Sequence, residues 1–124
     1  MDYIYIDGDN IGLTIEISFL NNDEKLLKKI NNNVIKSVSV ITEYLISKKQ
    51  EIIFSGADGI IAKGENIILH ELLAFIRSTN NELTFSIGLG KTLSDCYIAL
   101  RYAKSSNKNI AISFINDKFI ICNK

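Results

Sequence analysis

A chain of 124 residues with 47% hydrophobic side chains can bury roughly two-thirds of its unfolded surface in one domain, and it is too apolar to stay disordered. Lys+Arg and Asp+Glu balance at 14 each, so no global basic field exists to hold a nucleic-acid backbone, and stable nucleic-acid binding is not expected. Cys96 and Cys122 are too few and too far apart for a metal knuckle or a disulfide framework, and no uncharged apolar run approaches the ~20 residues that span a bilayer.

Proline is absent, so the seven glycines supply the punctuation. Residues 2–7 alternate and predict a strand, followed by Asp9 and a loop at Asn10–Gly12. From Asp23 to Lys49 the period changes. Leu26, Ile30, Val34, Val38, Ile41 and Leu45 recur every three or four residues, one buried stripe on a long helix. "EIIFS" and "GIIAKG" predict two short strands around a tight turn from Ser55 to Gly59, where glycine supplies the positive φ such turns need. Residues 66–78 predict a second helix with Ile68, Leu72, Phe75 and Ile76 on one face. "LTFSIGLG" is another strand, and Ser94 or Asp95 caps a third helix through about Ser105. "NIAISFI" and "KFIICN", separated by Asn116-Asp117, predict a closing hairpin.

The order β-α-β-β-α-β followed by α-β-β predicts an α+β fold. It is a ferredoxin-like domain spanning residues 1–124 with a C-terminal α-β-β extension, an antiparallel-rich sheet and helices on one face. In that topology the second strand runs parallel to the first, so the turn holding Asp58 lies at the same sheet end as Asp7 and Asp9. Three carboxylates at one sheet end suit Mg²⁺ or Mn²⁺, which favour hard oxygen ligands and recruit substrate phosphates. The blander reading of "DGDN" is a solvated turn. Other matches to the motif fail. An EF-hand loop would need a ligand where Ile11 stands and a glutamate where Ser18 stands. "GLGKT" lacks the first P-loop glycine, its place being taken by Phe85. A phosphoacceptor receiver domain would need a strand within residues 23–49, where the long helix leaves no room.

"YIDGDNIG", "FSGADGI", "FSIGLG" and "ALRYAKSSNKN" together resemble the palm domain shared by GGDEF cyclases and the polymerase-like large subunit of type III CRISPR complexes. The closest resemblance is to the stand-alone minimal CRISPR polymerases (mCpol), and it covers essentially the whole chain. The resemblance implies that Asp7 binds metal, helped by the Gly8 carbonyl, and that Asn10, Ile11 and Gly12 offer backbone N–H groups to a triphosphate. It aligns the family's GGDD or GGDEF hairpin with Gly56, Ala57, Asp58 and Gly59, so that Asp58 is the second metal-binding carboxylate. Lys104 and Lys108 fall on the two basic positions that contact phosphates, with Lys104 expected to cost no more stability on mutation than a surface residue.

Two positions depart from the family pattern. Ala57 replaces the second hairpin glycine, and Gly59 replaces an acid, a loss that Asp9 is expected to offset by holding the second ion. Ile15 stands near the asparagine with which GGDEF cyclases read guanine, which leans the reading toward ATP. The resemblance thus implies a cytoplasmic, metal-dependent nucleotidyltransferase that joins NTPs into a cyclic dinucleotide or short cyclic oligonucleotide. It would work as a homodimer in anti-phage signalling, with a separate effector reading the product. The competing reading is a palm that has lost catalysis and only binds nucleotides.

Overall fold

The structure, a computed structural model, describes residues 1–123. Its elements are β1 (Asp2–Gly8), α1 (Ile11–Leu20), α2 (Glu24–Ser47), β2 (Glu51–Gly56), β3 (Gly59–Gly64), α3 (Leu69–Ser78), β4 (Phe85–Gly90), α4 (Leu93–Ser105), β5 (Ala111–Ile115) and β6 (Lys118–Cys122). They build a six-stranded sheet in the order β2-β3-β1-β4-β5-β6. The first four of these are the split βαβ arrangement, antiparallel throughout. β5 pairs parallel to β4, and β6 returns antiparallel along β5.

The long helix forms where its stripe predicts. Asp23 caps α2 by accepting the Leu26 amide at 3.0 Å, and Ile30, Val34, Val38, Ile41 and Leu45 are buried along one face. That face meets Ile4, Ile6, Ile60, Ala62, Phe85, Ile87 and Leu89 on the sheet, with Leu72, Leu73 and Ile76 of α3 in the same core.

The helices do not share one face of the sheet, as the sequence reading expected. On β4 the large residues Phe85, Ile87 and Leu89 point into the α2/α3 core, and Ser86, Gly88 and Gly90 point the other way. α4 lies on that second face. A Cβ on Gly88 would stand 2.3 Å from the Cys96 carbonyl oxygen and 2.4 Å from the Leu100 amide nitrogen. Glycine there is what lets the helix settle onto the strand. Gly88→Ala is expected to push α4 outward at a cost of about 1–3 kcal/mol, read as a lowered midpoint in urea denaturation. An unchanged midpoint would mean that the helix already has room.

Three boundaries also differ. α1 forms where the sequence predicts only a loop at Asn10–Gly12, because in "IGLTIEISFL" the polar Thr14, Glu16 and Ser18 alternate with apolar residues and leave no helical period to detect. It packs along α2. Thr92, not Ser94 or Asp95, caps α4, its hydroxyl accepting the Asp95 amide at 3.1 Å. α3 begins at Leu69, so Ile68 is its exposed N-cap rather than part of the buried face.

Candidate active site

β1 delivers Asp7 to the sheet end, directly opposite Gly59 on β3 and Ser86 on β4. The Ala57-Asp58 turn is tied to the same point, since the Gly8 amide donates to the Asp58 carbonyl at 2.9 Å. Gly8 has to be small: a Cβ there would meet Ile11 Cγ1 at 2.8 Å and Asp58 Cβ at 3.5 Å. Gly56 and Gly59 face each other across the hairpin and continue the row that holds Asp7. They leave bare backbone beside the Asp7 carboxylate, whose Oδ1 would lie 3.3 Å from a Cβ at position 59. Any side chain in place of Gly59, including the acid of the related hairpins, would therefore stand against Asp7.

Ala57 holds φ at 48°, the left-handed region that glycine enters freely and alanine enters at a cost of roughly 1–2 kcal/mol. Ala57→Gly is expected to stabilise the chain by up to about 1 kcal/mol, the added backbone freedom of the unfolded state offsetting part of the relief. Chemical denaturation reads this directly, and a loss of stability would show that the turn tolerates the methyl group.

Lys104, on α4, reaches the same point. Its ammonium donates to the Gly8 carbonyl at 2.7 Å and the Asp7 carbonyl at 3.2 Å. It also contacts Asp9 Oδ1 at 2.8 Å and Asp7 Oδ2 at 3.3 Å. The side chain is 13% exposed, so this is a buried cation and not a solvated one.

Asp9 departs from the sequence expectation that it faces metal or nucleotide. It turns inward and is 1% exposed. Oδ1 accepts from Ser86 Oγ at 2.7 Å and from Lys104, and Oδ2 accepts from Thr84 Oγ1 at 2.7 Å and the Asn109 amide at 2.9 Å. Burial alone would raise its pKa. The hydrogen bonds from Lys104, Ser86 and Thr84, with the Lys104 charge, outweigh burial and hold the carboxyl below the usual 3.8. Asp9 is the buried anchor that fastens α4 and the segment before β5 to the end of β1. Thr84, Ser86 and Asn109 are the residues the sequence reading missed. The alternation "TFS" puts both hydroxyls on one strand face, which was the available signal.

Asp7 is different. Burial raises its carboxyl above the usual 3.8, Lys104 opposes that shift, and the charges of Asp58 and Asp9 add to it. An added cation would relieve this crowding. With Asp9 turned inward, no three His, Cys, Asp or Glu side chains cluster with metal-binding spacing among the described residues. What remains is the Asp7 and Asp58 carboxylates with the Gly8 carbonyl. That donor set fits Mg²⁺ or Mn²⁺ as an ion that keeps several waters and shares phosphate oxygens with a nucleotide.

The residues Asn10–Gly12 form the first turn of α1 rather than a loop. Asn10 is the N-cap at φ 59°, with its side chain off the helix end, accepting from Lys108 Nζ at 2.6 Å instead. No acidic side chain occupies the first turn, so its N–H groups and the positive end of the helix dipole are open to an anion. Ile11 is buried and can offer only its backbone. Next to this turn, a cavity of about 790 Å³ opens between α1, α2 and the Ala57-Asp58 turn, walled by Ile11, Ile15, Leu27, Ile30 and Val34.

The fold has a solved counterpart. It is similar to the X-ray structure of a diguanylate cyclase/phosphodiesterase from Caldicellulosiruptor saccharolyticus, with a TM-score of 0.58 and 18% identity over 96% of this chain and 78% of that one. No curated protein matches the chain. The model of the minimal CRISPR polymerase domain, mCpol, matches residues 3–114, a span that reaches from β1 into β5 and includes every residue of the site described above. The chain belongs to the mCpol family.

Proposed function

We propose that this palm domain joins nucleoside triphosphates, ATP by preference, into a cyclic dinucleotide or short cyclic oligonucleotide. The observation that carries the reading is the convergence at one sheet end of Asp7 and Asp58, the bare Gly56–Gly59 backbone, the open N-terminus of α1, and Lys104 and Lys108. The first turn of α1 would take the triphosphate through its N–H groups, with Lys108 beside it. The apolar cavity next to Asp58 would take the base.

Asp7, Asp58 and the Gly8 carbonyl would hold Mg²⁺ or Mn²⁺, which supplies Lewis-acid polarisation of the phosphates and lowers the pKa of a bound hydroxyl. Lys104 holds the Asp7 and Gly8 carbonyls in place, and its charge opposes the build-up of negative charge as an α-phosphorus is attacked and pyrophosphate leaves. The Gly56–Gly59 backbone leaves space for the incoming ribose hydroxyl. One chain offers one such site, so joining two nucleotides requires two copies to meet with their sites facing. Anti-phage signalling through a separate effector is the setting this product class suggests.

Base choice follows from the cavity wall. Ile15 presents no hydrogen-bonding group to the guanine edge, so ATP is expected to be consumed faster than GTP when the two compete at equal concentration with Mg²⁺ or Mn²⁺. Mass spectrometry of the products measures this, and a clear GTP preference would show that another residue reads the base.

One observation favours a second reading. Lys104 already sits on the Gly8 carbonyl and Asp7, and Gly59 leaves the hairpin one acid short. A palm in which this ammonium replaces the metal would bind nucleotide without turning it over. Saturable ATP binding with no product in either metal would establish that reading in place of catalysis.

A further inference from the structure

The two edges of the sheet are treated differently. β2 carries a bulge between Ile52 and Phe54, a device that spoils an edge for further pairing, and α2 packs against it. Among the described residues β6 carries no bulge, and the helix contact it makes is on its face, through Tyr102 on Phe119, not along its outer edge. It pairs in unbroken register with β5 and ends the sheet. Phe119, Ile120 and Ile121 are 40%, 62% and 56% exposed, three consecutive large apolar side chains on an open edge.

The hairpin geometry shows which backbone groups this edge offers. Asn116 and Asp117 both have positive φ, 53° and 61°, the two-residue turn that matches strand twist. Such a turn makes Ile115–Lys118 a hydrogen-bonded pair, and the antiparallel alternation makes Ser113–Ile120 and Ala111–Cys122 hydrogen-bonded as well. Phe119 and Ile121 therefore aim their N–H and C=O groups away from β5, at the open edge.

We propose that β6 pairs antiparallel with β6 of a second copy about a two-fold axis at Ile120. The strand is self-complementary in that register. Phe119 of each copy exchanges both backbone hydrogen bonds with the other copy's Ile121, so all four outward-facing residues are satisfied. Ile120 meets its own counterpart in the close, non-hydrogen-bonded position. The one charged residue, Lys118, falls opposite Cys122 and not opposite another lysine. On the α4 face, Phe119 already packs on Phe114 and Tyr102, with centroids 4.5 and 4.4 Å away, and the partner strand extends that cluster with its Ile121.

This pairing is separate from the meeting of two sites proposed above. It sets β1 and its copy seven strand intervals apart, roughly 34 Å, with their Asp7 ends pointing in opposite directions. The shared edge is short compared with the ~800 Å² per partner of stable complexes, so the association is expected to be reversible, with Kd roughly in the micromolar range.

Sedimentation without nucleotide or metal tests it. The mean mass is expected to rise from the 13.9 kDa of one chain toward twice that between about 1 and 500 µM, while the Phe119 and Ile121 amides gain exchange protection over the same range. Ile120→Lys sets two ammonium groups at the closest pair. Ile121→Pro removes an N–H that the β5–β6 pairing leaves facing outward. Both are expected to keep the melting temperature measured at low concentration and to lose the association at least tenfold. Ile46→Lys, on the exposed side of α2, is expected to leave it intact. A constant monomer mass in the wild type, association unchanged in both β6 variants, or equal loss in Ile46→Lys would each overturn the pairing. The first of these outcomes would leave the edge to a strand from a different protein.

Discussion

Asp7→Asn and Asp58→Asn are each expected to lower nucleotide turnover by about 10²- to 10⁴-fold. A carboxylate that positions a catalytic cation contributes several kcal/mol to the transition state, and each 1.36 kcal/mol is about tenfold in rate. The fold should survive, because the substitution changes charge and little volume. Asp7→Asn is expected to melt higher than wild type at neutral pH in the absence of nucleotide. Its carboxyl is raised in the folded state by burial and by Asp58 and Asp9, against the pull of Lys104.

A raised carboxyl destabilises the native state once ionised. Stability from this group is therefore lost as pH rises from the unfolded value of 3.8 through the raised folded value, and the neutral asparagine escapes that loss. The difference between the two proteins should vanish below about pH 3.8. Full turnover in both variants would remove the two-carboxylate site, and no rise in melting temperature for Asp7→Asn would mean that Lys104 already neutralises the crowding.

Lys104→Ala is expected to cost about 3–5 kcal/mol of stability, the range for leaving one member of a buried ion pair behind. That is a drop in Tm of roughly 10–20 °C for a domain of this size. The sequence alone suggested a loss no larger than a surface substitution causes, and the geometry overturns that. Lys104 is 13% exposed and Asp9 1%, so removing the ammonium strands a carboxylate with only the Ser86, Thr84 and Asn109 donors.

The double variant Asp9→Asn/Lys104→Met removes both charges and should recover at least half of the loss, which a double-mutant cycle reads as coupling. Acid supplies an independent check. The folded Asp9 carboxyl is depressed, so the stability it contributes is complete above the unfolded value of 3.8 and disappears as pH falls below it through the lower folded value. The Lys104→Ala defect should shrink in that range. A Lys104→Ala protein within about 0.5 kcal/mol of wild type would return the residue to solvent.

Local pattern was sufficient wherever an element repeats on its own period. The four-and-three spacing from Ile30 to Leu45 specified α2 and the face it buries. The hairpin forms where the glycines flanking Ala57-Asp58 marked it, although the positive φ expected of a glycine is carried by Ala57 and by no glycine. The order of elements placed Asp58 at the Asp7 end of the sheet, where the Gly8 amide meets the Asp58 carbonyl at 2.9 Å.

Three features were decided only by the fold. α1 has no helical period to mark it, and it is a helix because α2 offers it a surface and β1 ends where it starts. α4 crosses to the second face because Ser86, Gly88 and Gly90 are small on one side of β4 while Phe85, Ile87 and Leu89 fill the other. That alternation was visible in "FSIGLG", but its meaning depended on which helix came to cover it. The different fates of Asp7 and Asp9 lay furthest from the sequence. Two aspartates separated by one glycine look equivalent on paper, and a strand that ended one residue later would have aimed both the same way. β1 ends at Gly8, Asp9 turns in toward donors that lie 75 to 100 residues further along the chain, and Asp7 stays half-buried at the sheet end beside Asp58. Local sequence set where charge gathers, and long-range hydrogen bonding chose which carboxylate is buried and which stays beside Asp58 at the open end of the sheet.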